Sequence, residues 1–383
     1  MIRVLEFIAS SRVKPVGGPA GYVYNLTNGC SSESIQICFL HPVEEKLKVK
    51  SKSMVFQILK VVNDYLKIYK LYHNLTKYIN LNDYDVVHFH STHDLFSVRK
   101  LLEGYQGKTI LTSHSPKPLH QEFVYDLYSD MERRVLEKYA LKKYEYVDEY
   151  AFDHADYILF PCEYAEEPYI NNWDKYEGIK EKNRTKYIYM ETGVIKKTPR
   201  IPADKIRIQY GLEGKFVLSF AGRHNEVKGY DRLKEFGEKL LKKHDDFSFV
   251  VCGNESPISG LKHERWMEIG WTQDADSYIA SSDAFVLPNK ETYFDLVMLE
   301  VLSMGKIVIA SYTGGNKYFE RFGNSGIFLY RSDEEFYQIV DSLYHMPMEE
   351  RRRLENRNFE IYRNFFDQKH FFERYEQIIS EII

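Results

Sequence analysis

Cysteine is scarce in this chain: the four residues present, Cys30, Cys38, Cys162 and Cys252, show no C-x-x-C spacing. That excludes a disulfide framework or a cysteine-built zinc site as the organising element. Cys162 and Cys252 lie in or beside apolar runs and read as buried, reduced thiols, which suits a cytosolic setting. Long apolar stretches are missing as well. No run is long enough to span a bilayer, and Glu6 interrupts an N-terminal apolar segment already too short for a signal peptide. Excess charge is lacking too, with a net of -4 over 383 residues, so nucleic acid is not expected as a main partner.

What is present is the composition of a folded globular protein, 44% hydrophobic and 28% charged, in a chain longer than one ordinary core. Short apolar runs alternate with amphipathic stretches from end to end. Strands are expected at Arg3–Ala9, Ile35–Leu40, Val86–His90, Thr109–Ser113, Tyr157–Pro161 and Tyr187–Met190. The series restarts near residue 200, with strands expected at Phe216–Ala221, Phe247–Cys252, Ala284–Pro288, Ile307–Ser311 and Gly326–Tyr330. Apolar runs each followed by a helical pattern predict parallel sheets with crossover helices, an α/β fold. A basic, proline-bearing link (Lys196, Lys197, Pro199, Arg200, Pro202) parts the two series. The expected organisation is two Rossmann-like domains, 1–192 and 206–358, joined by 193–205, with the ligand in a central cleft. A C-terminal helical segment, 359–383, packs back on one of them through Phe371, Phe372, Tyr375, Ile378, Ile379 and Ile382. Aromatics make up 15% of the chain and are spread along it, so we read them mainly as packing.

One segment stands apart in charge. Between Lys46 and Lys77 eight lysines face a single acid, Asp64, and flank apolar positions such as Phe56, Leu59 and Leu66. Its plain reading is a solvated helix on a sheet; its sharper reading is a basic face resting on an anionic membrane.

Two stretches carry the chemistry. Phe216–Asp231, F-V-L-S-F-A-G-R-H-N-E-V-K-G-Y-D, ends an apolar run in a glycine turn that presents Arg223 and then Lys228 beside another glycine. Two cations at the carboxyl end of a strand, where open α/β sheets bind ligands, suit a diphosphate. Their plain alternative is a surface ion pair with Glu226. The second stretch, Pro288–Gly305, reads P-N-K-E-T-Y-F-D-L-V-M-L-E-V-L-S-M-G. It predicts a strand end, a loop and a helix starting near Phe294–Asp295. Asp295 is the expected N-cap, and Leu296, Val297, Leu299 and Val301 the buried face. The outward N–H groups of the first turn form an anion site. Glu300 falls about one and a half turns inside, placed to accept hydrogen bonds from a ribose diol.

Taken in order, these pieces resemble the retaining, nucleotide-sugar-dependent glycosyltransferases of family 4 (glycosyltransferase group 1), which have the GT-B fold. The resemblance runs almost end to end: Gly17–Gly21 (G-G-P-A-G), Asp85–His90 (D-V-V-H-F-H), Thr112–Ser115 (T-S-H-S), Ala155–Tyr164, Thr192–Val194 (T-G-V), the G-R…K-G pair, the glutamate helix and Gly314–Asn316 (G-G-N). It implies a hexosyltransferase-type enzyme. Arg223 and Lys228 would hold the donor diphosphate and stabilise the leaving nucleotide, and Glu300 would bind the ribose. Backbone around Phe294, Asp295, Leu296 and Val297 would contact the β-phosphate and sugar, and His114 would touch the sugar near the reacting centre. Gly17 and Gly18 would let the opposite loop approach the phosphates without a Cβ in the way. No nucleophile stands out in this set. Front-face displacement, with the departing phosphate assisting the incoming hydroxyl, is the route implied.

The resemblance also implies a UDP- or GDP-linked donor, a glycan, lipid-linked or protein acceptor, and no cofactor or metal. Its context would be bacterial surface polysaccharide or glycoconjugate assembly at the cytoplasmic face of the membrane. The chain departs from the family at one motif position. Two glutamates separated by seven residues are expected, and the first of those places holds Thr292, with Glu291 just before it. Either the Thr292 hydroxyl supplies the missing sugar contact, or Glu291 swings in, or the reaction is lost. The last leaves a non-catalytic subunit that binds sugar nucleotide or a partner enzyme as the alternative function. A sugar-nucleotide epimerase on the same fold is a further rival, but no acid/base set for it is found. Asp83-Tyr84-Asp85 and Asp274-Ala275-Asp276 have D-x-D spacing, yet neither ends a strand. His88, His90 and His93 are closely spaced, and packing or acceptor-lining is the favoured reading over zinc.

Overall fold

The protein is described by a computed structural model covering residues 1–8, 18–39, 79–127 and 130–383. The basic Lys46–Lys77 segment and Gly17 lie outside the described residues. The chain forms two compact units. The first comprises Met1–Pro161, Pro168–Met190 and Phe372–Ile383; the second comprises Cys162–Glu167 and Glu191–Phe371.

The first unit is built on a parallel sheet of β1 (Ile2–Phe7), β2 (Ile35–Phe39), β3 (Val86–Phe89), β4 (Lys108–Leu111), β5 (Tyr157–Phe160) and β6 (Tyr187–Tyr189). Their order is β2-β1-β3-β4-β5-β6. All four residues of β3 and Val4–Phe7 of β1 are buried without alternation, as expected of central strands in a parallel sheet covered on both faces. The chain reverses its winding direction between β1 and β3, so the carboxyl ends of these strands flank a switch point. In that pair Glu6 stands opposite His88, which puts a carboxylate and an imidazole on the same face of the sheet. The C-terminal Gln368–Ile382 helix lays Phe371, Phe372, Tyr375, Ile379 and Ile382 inward, with Ile378 of the expected face only partly buried, and from Phe372 onward it belongs to this unit.

The second unit carries β7 (Phe216–Ala221), β8 (Phe247–Cys252), β9 (Trp266–Gly270), β10 (Ala284–Leu287), β11 (Ile307–Ser311) and β12 (Ile327–Tyr330). This sheet is also parallel, in the order β12-β11-β10-β7-β8-β9. β9 is absent from the sequence-based strand set. It is an edge strand, W-M-E-I-G, with only Trp266 fully buried, so it lacks the continuous apolar run that marks its neighbours. Phe216, Leu218 and Phe220 of β7 pack with Tyr230, Leu233 and Phe236 of the Tyr230–Lys243 helix in the main core. Here the switch point falls between β7 and β10; Gly222–Asp231 of the first chemistry-bearing stretch and the whole of the second follow the carboxyl ends of those two strands.

Candidate functional site: two sheet switch points

In the second unit the two stretches are joined by backbone. Lys290 N–H donates to the Val227 carbonyl at 3.0 Å, and the Lys290 ammonium pairs with Asp231 at 2.5 Å. Gly229 makes the approach possible: its φ is 64°, and a methyl group there would overlap the Pro288 carbonyl oxygen. The Lys228 ammonium sits 2.5 Å from Asp295 Oδ1, while Asn289 donates to Asp295 Oδ2 at 2.7 Å. Asp295 is the N-cap of the Leu296–Ser303 helix by position, but its side chain makes no capping bond. The expected cap role is thus replaced by a counter-ion role, because a cation 2.5 Å away outcompetes a neutral N–H for the carboxylate. Lys228 does not take the surface pairing with Glu226 weighed above. Arg223 is exposed, and its guanidinium makes no ion pair among the described residues.

Along the same helix Leu299 and Val301 are fully buried, whereas Leu296 and Val297 are only partly so, which leaves the first turn accessible. Glu300 pairs with Lys197 at 3.1 Å, and Lys197 also lies 3.9 Å from Asp276. Burial raises the Glu300 carboxyl above its ordinary value, and Lys197 only partly offsets this. The linker lysine was legible as a basic residue but not as this counter-ion.

The loop between β10 and that helix is tightly held. Gly314 and Gly315 pack on it so closely that a methyl group on either would overlap the Thr292 or the Tyr293 carbonyl oxygen. The G-G-N motif therefore serves close backbone approach, and Glu167 accepts from Gly314 N–H at 3.0 Å and pairs with Lys317. Thr292 is 1% exposed, and its hydroxyl has no hydrogen-bond partner among the described residues. Glu291 is partly buried. The Phe294 ring stacks on Phe319 at 5.5 Å and belongs to an aromatic cluster with Phe366. His224, beside Arg223, was not singled out by sequence. Its ring is buried and stacked on Tyr230 at 3.8 Å; neither nitrogen makes a hydrogen bond among the described residues, and Nε2 lies 3.9 Å from Glu268 Oε2. Gly193 of T-G-V lets the chain run against Asp367–Phe371, where a methyl group would lie 2.6 Å from Phe371 Cβ.

The first unit gathers its own polar cluster at the other switch point. Glu6 is fully buried. It accepts from His90 Nε2 at 2.6 Å and from the Tyr375 hydroxyl at 2.6 Å. His90 Nδ1 is 2.9 Å from His114 Nε2, and His88 bridges Tyr375 (3.0 Å) and Thr112 (2.8 Å). The Tyr22 ring packs on His114 at 4.7 Å, and Gly18 caps its helix with a φ of 74°. Burial opposes ionisation of Glu6, yet His88 and His90 together hold its carboxyl far below the usual range. Burial pushes His90 down to about 4 and His114 well below its ordinary value, so both rings are neutral at pH 7.

Glu6, His88 and His90 offer three ligand atoms within 4.8 Å of one another. The 2.6 Å from Glu6 to His90 is nevertheless a hydrogen bond, shorter than the roughly 3.3 Å between two ligand atoms on one tetrahedral zinc. His93 is elsewhere, stacked on Phe123 at 6.0 Å. The D-x-D aspartates have structural partners: Asp85 accepts from Arg3 N–H, Asp83 from Asn80, and Asp274 from Ser277. Sequence reasoning missed Glu6 as a site residue. Its signal was a lone carboxylate inside an apolar strand.

The comparisons with known proteins agree with this architecture. A family model described as "Glycosyl transferases group 1" matches residues 215–346, and one described as "Glycosyltransferase Family 4" matches 16–175. A Klebsiella pneumoniae protein, "Uncharacterized 41.2 kDa protein in cps region", is 22% identical over 306 residues, covering 77% of this chain and 78% of its own. Anabaena HepE in complex with UDP superposes with a TM-score of 0.62 at 14% identity over 100% of both chains. Sucrose-phosphate synthase from Thermosynechococcus elongatus gives 0.65 at 15% identity, over 99% of this chain and 98% of that one. Those structures share the GT-B fold with this chain. With glycosyltransferase models on both series of strands and GT-B neighbours along the full length, the chain belongs to the group 1 glycosyltransferases.

Proposed function

We propose that this enzyme is a retaining hexosyltransferase that moves a sugar from a nucleotide-diphosphate donor to a hydroxyl of a glycan, lipid-linked or protein acceptor. The observation that carries the reading is the Lys228 ammonium held at the amino end of the Leu296–Ser303 helix, on the same helix as Glu300. A diphosphate placed there would exchange the Asp295 carboxylate for its own oxygens and gain the helix dipole. Arg223 would neutralise the leaving nucleotide, and Glu300 would accept from the ribose diol. Solved neighbours bound to UDP and to UDP-glucose support a nucleotide sugar as donor. The proposed reaction needs no metal, because two cations and a helix terminus carry the charge compensation.

The surface-polysaccharide context, at the inner face of the membrane, is part of the proposal. The relative from a cps region supports it. No described helix is long and apolar enough to cross a membrane. The test is transfer and hydrolysis with a panel of UDP- and GDP-sugars, with and without chelator. Turnover that survives chelator and is lost in Arg223→Ala supports the reading; full activity of Arg223→Ala would falsify it.

A second reading, a non-catalytic subunit that binds sugar nucleotide, draws on Thr292, whose hydroxyl is enclosed. Nucleotide-sugar binding without hydrolysis or transfer by the isolated chain would favour it.

A further inference from the structure

Glu300 is an ionisable group in a mostly buried turn. Met298, Leu299, Val301, Leu302 and Ser303 of its helix are buried, so its carboxylate needs a cation close by to stay charged. The chain brings that cation from the linker and secures it with two serines. Lys197 N–H donates to Ser303 Oγ at 3.0 Å, and Ser303 Oγ donates to the Glu300 carbonyl at 2.6 Å, which ties the linker to the turn that carries Glu300. Ile201 N–H donates to Ser277 Oγ at 2.9 Å, and Ser277 Oγ donates to Asp274 Oδ1 at 2.9 Å. That second tie fastens the linker to the start of the Ala275–Ala280 helix, which carries Asp276. Both serines are fully buried, and all these residues belong to the second unit. So held, the Lys197 ammonium lies 3.1 Å from Glu300 Oε1 and 3.9 Å from Asp276 Oδ2. One cation serves two acids.

We propose that Lys197 is a positioning residue for the donor nucleoside: its ammonium holds Glu300 in the ionised form that accepts from the ribose diol, and Asp276 competes for the same cation. The inference rests on the ribose contact proposed above for Glu300, and it names the group that keeps that contact available. Three features support it. The linker backbone on either side of the ammonium is fastened by buried hydroxyls, unlike the two free side chains of an ordinary surface pair. The Lys197 and Glu300 side chains are 26% and 25% exposed, so the pair lies at an accessible edge of the unit. Burial raises the Glu300 carboxyl, Lys197 lowers it and Asp276 raises it, so the two charged neighbours act on one proton in opposite directions. Around Asp276 itself stand Asp274 and Arg200. A carboxylate can accept from both hydroxyls of a diol, whereas a protonated carboxyl has given up part of that capacity.

The test is the titration of the Glu300 carboxyl in ligand-free protein, followed by ¹³C NMR on glutamate-labelled enzyme and identified by its loss in Glu300→Gln. Lys197→Met should move the midpoint up by about one pH unit or more, and Lys197→Arg, which keeps the charge, should restore it. Asp276→Asn should move it down, because a like charge is gone and the ammonium is left to Glu300 alone. An unmoved midpoint in Lys197→Met, or a rise in Asp276→Asn, overturns the proposal; the second variant decides it should the first not fold. Calorimetry with UDP and GDP and their 2′-deoxy forms over pH 4 to 9 reads the consequence. Ribonucleotide binding by Lys197→Met should match wild type at high pH and fall behind by about tenfold as pH drops, one pH unit in a midpoint being a factor of ten. Weakening by one factor at every pH marks a merely structural lysine and overturns it. If no protein binds either nucleotide, the proposed function fails, while the carboxyl titration still decides what Lys197 does to Glu300.

Discussion

The ammonium of Lys228 and the carboxylate of Asp295 stand 2.5 Å apart at the start of the Leu296–Ser303 helix, so the cation proposed for the donor already has a resident anion. A diphosphate must displace that anion. Lys228→Ala should therefore lower kcat/KM by about ten- to hundredfold, the range expected for one charge-assisted hydrogen bond. Asp295→Asn should act the other way, tightening donor binding about two- to fivefold, because a partly exposed ion pair contributes little and its loss releases the lysine. Calorimetric titration with UDP and GDP on both variants reads this directly. Weaker binding by Asp295→Asn would mean that the carboxylate helps the donor.

Glu300 gives a pH signature. Its carboxyl is raised by burial against the attraction of Lys197. A carboxylate accepts from a diol, whereas the protonated form does so less well, so donor affinity should be full above the raised value and fall as pH drops through it. The fall should begin at higher pH than an ordinary glutamate would cause, and Glu300→Gln should flatten it. The same shift has a stability consequence. Proton binding favours the folded form below the ordinary value near 4.5, and this contribution is lost as pH rises through the folded value. Nucleotide titrations over pH 4 to 8 check the first effect, and thermal melts the second.

Gly315 packs on the Tyr293 carbonyl oxygen with no room for a side chain. Gly315→Ala should destabilise the fold by about 1–3 kcal/mol, the usual cost of overpacking, and reduce turnover further by moving the Thr292–Phe294 loop. Chemical denaturation with parallel assays would show it. A variant as stable as wild type would mean that the loop relaxes freely.

Thiol accessibility is quickly measured. Cys162 and Cys252 are buried, with thiols pushed up to about 12 by burial, while Cys30 and Cys38 are partly exposed. Native protein should react with a thiol reagent at Cys30 and Cys38 alone, and denatured protein at all four. Rapid modification of Cys252 in native protein would contradict the burial of β8.

The strand pattern was legible because parallel strands buried on both faces need continuous apolar runs, and β7, β8, β10 and β11 each have one. β9 was not, since an edge strand half open to solvent carries Glu268 at its centre. The places of Lys228 after a strand and of Glu300 along a helix could be read from spacing. Their partners could not. Asp295 was read as a cap and Lys197 as a linker residue, and only the folded chain brings each to its ion pair.

Local order along the chain was thus enough to determine the α/β class, every strand but β9 and the side chains that follow their carboxyl ends. Periodicity and turn residues act between near neighbours. What the tertiary structure alone decided is pairing across long separations: Glu6 meets His90 and Tyr375 although they lie 84 and 369 positions away. A buried carboxylate holds its charge only where donors converge on it, and convergence is a property of packed strands and helices that no local spacing encodes.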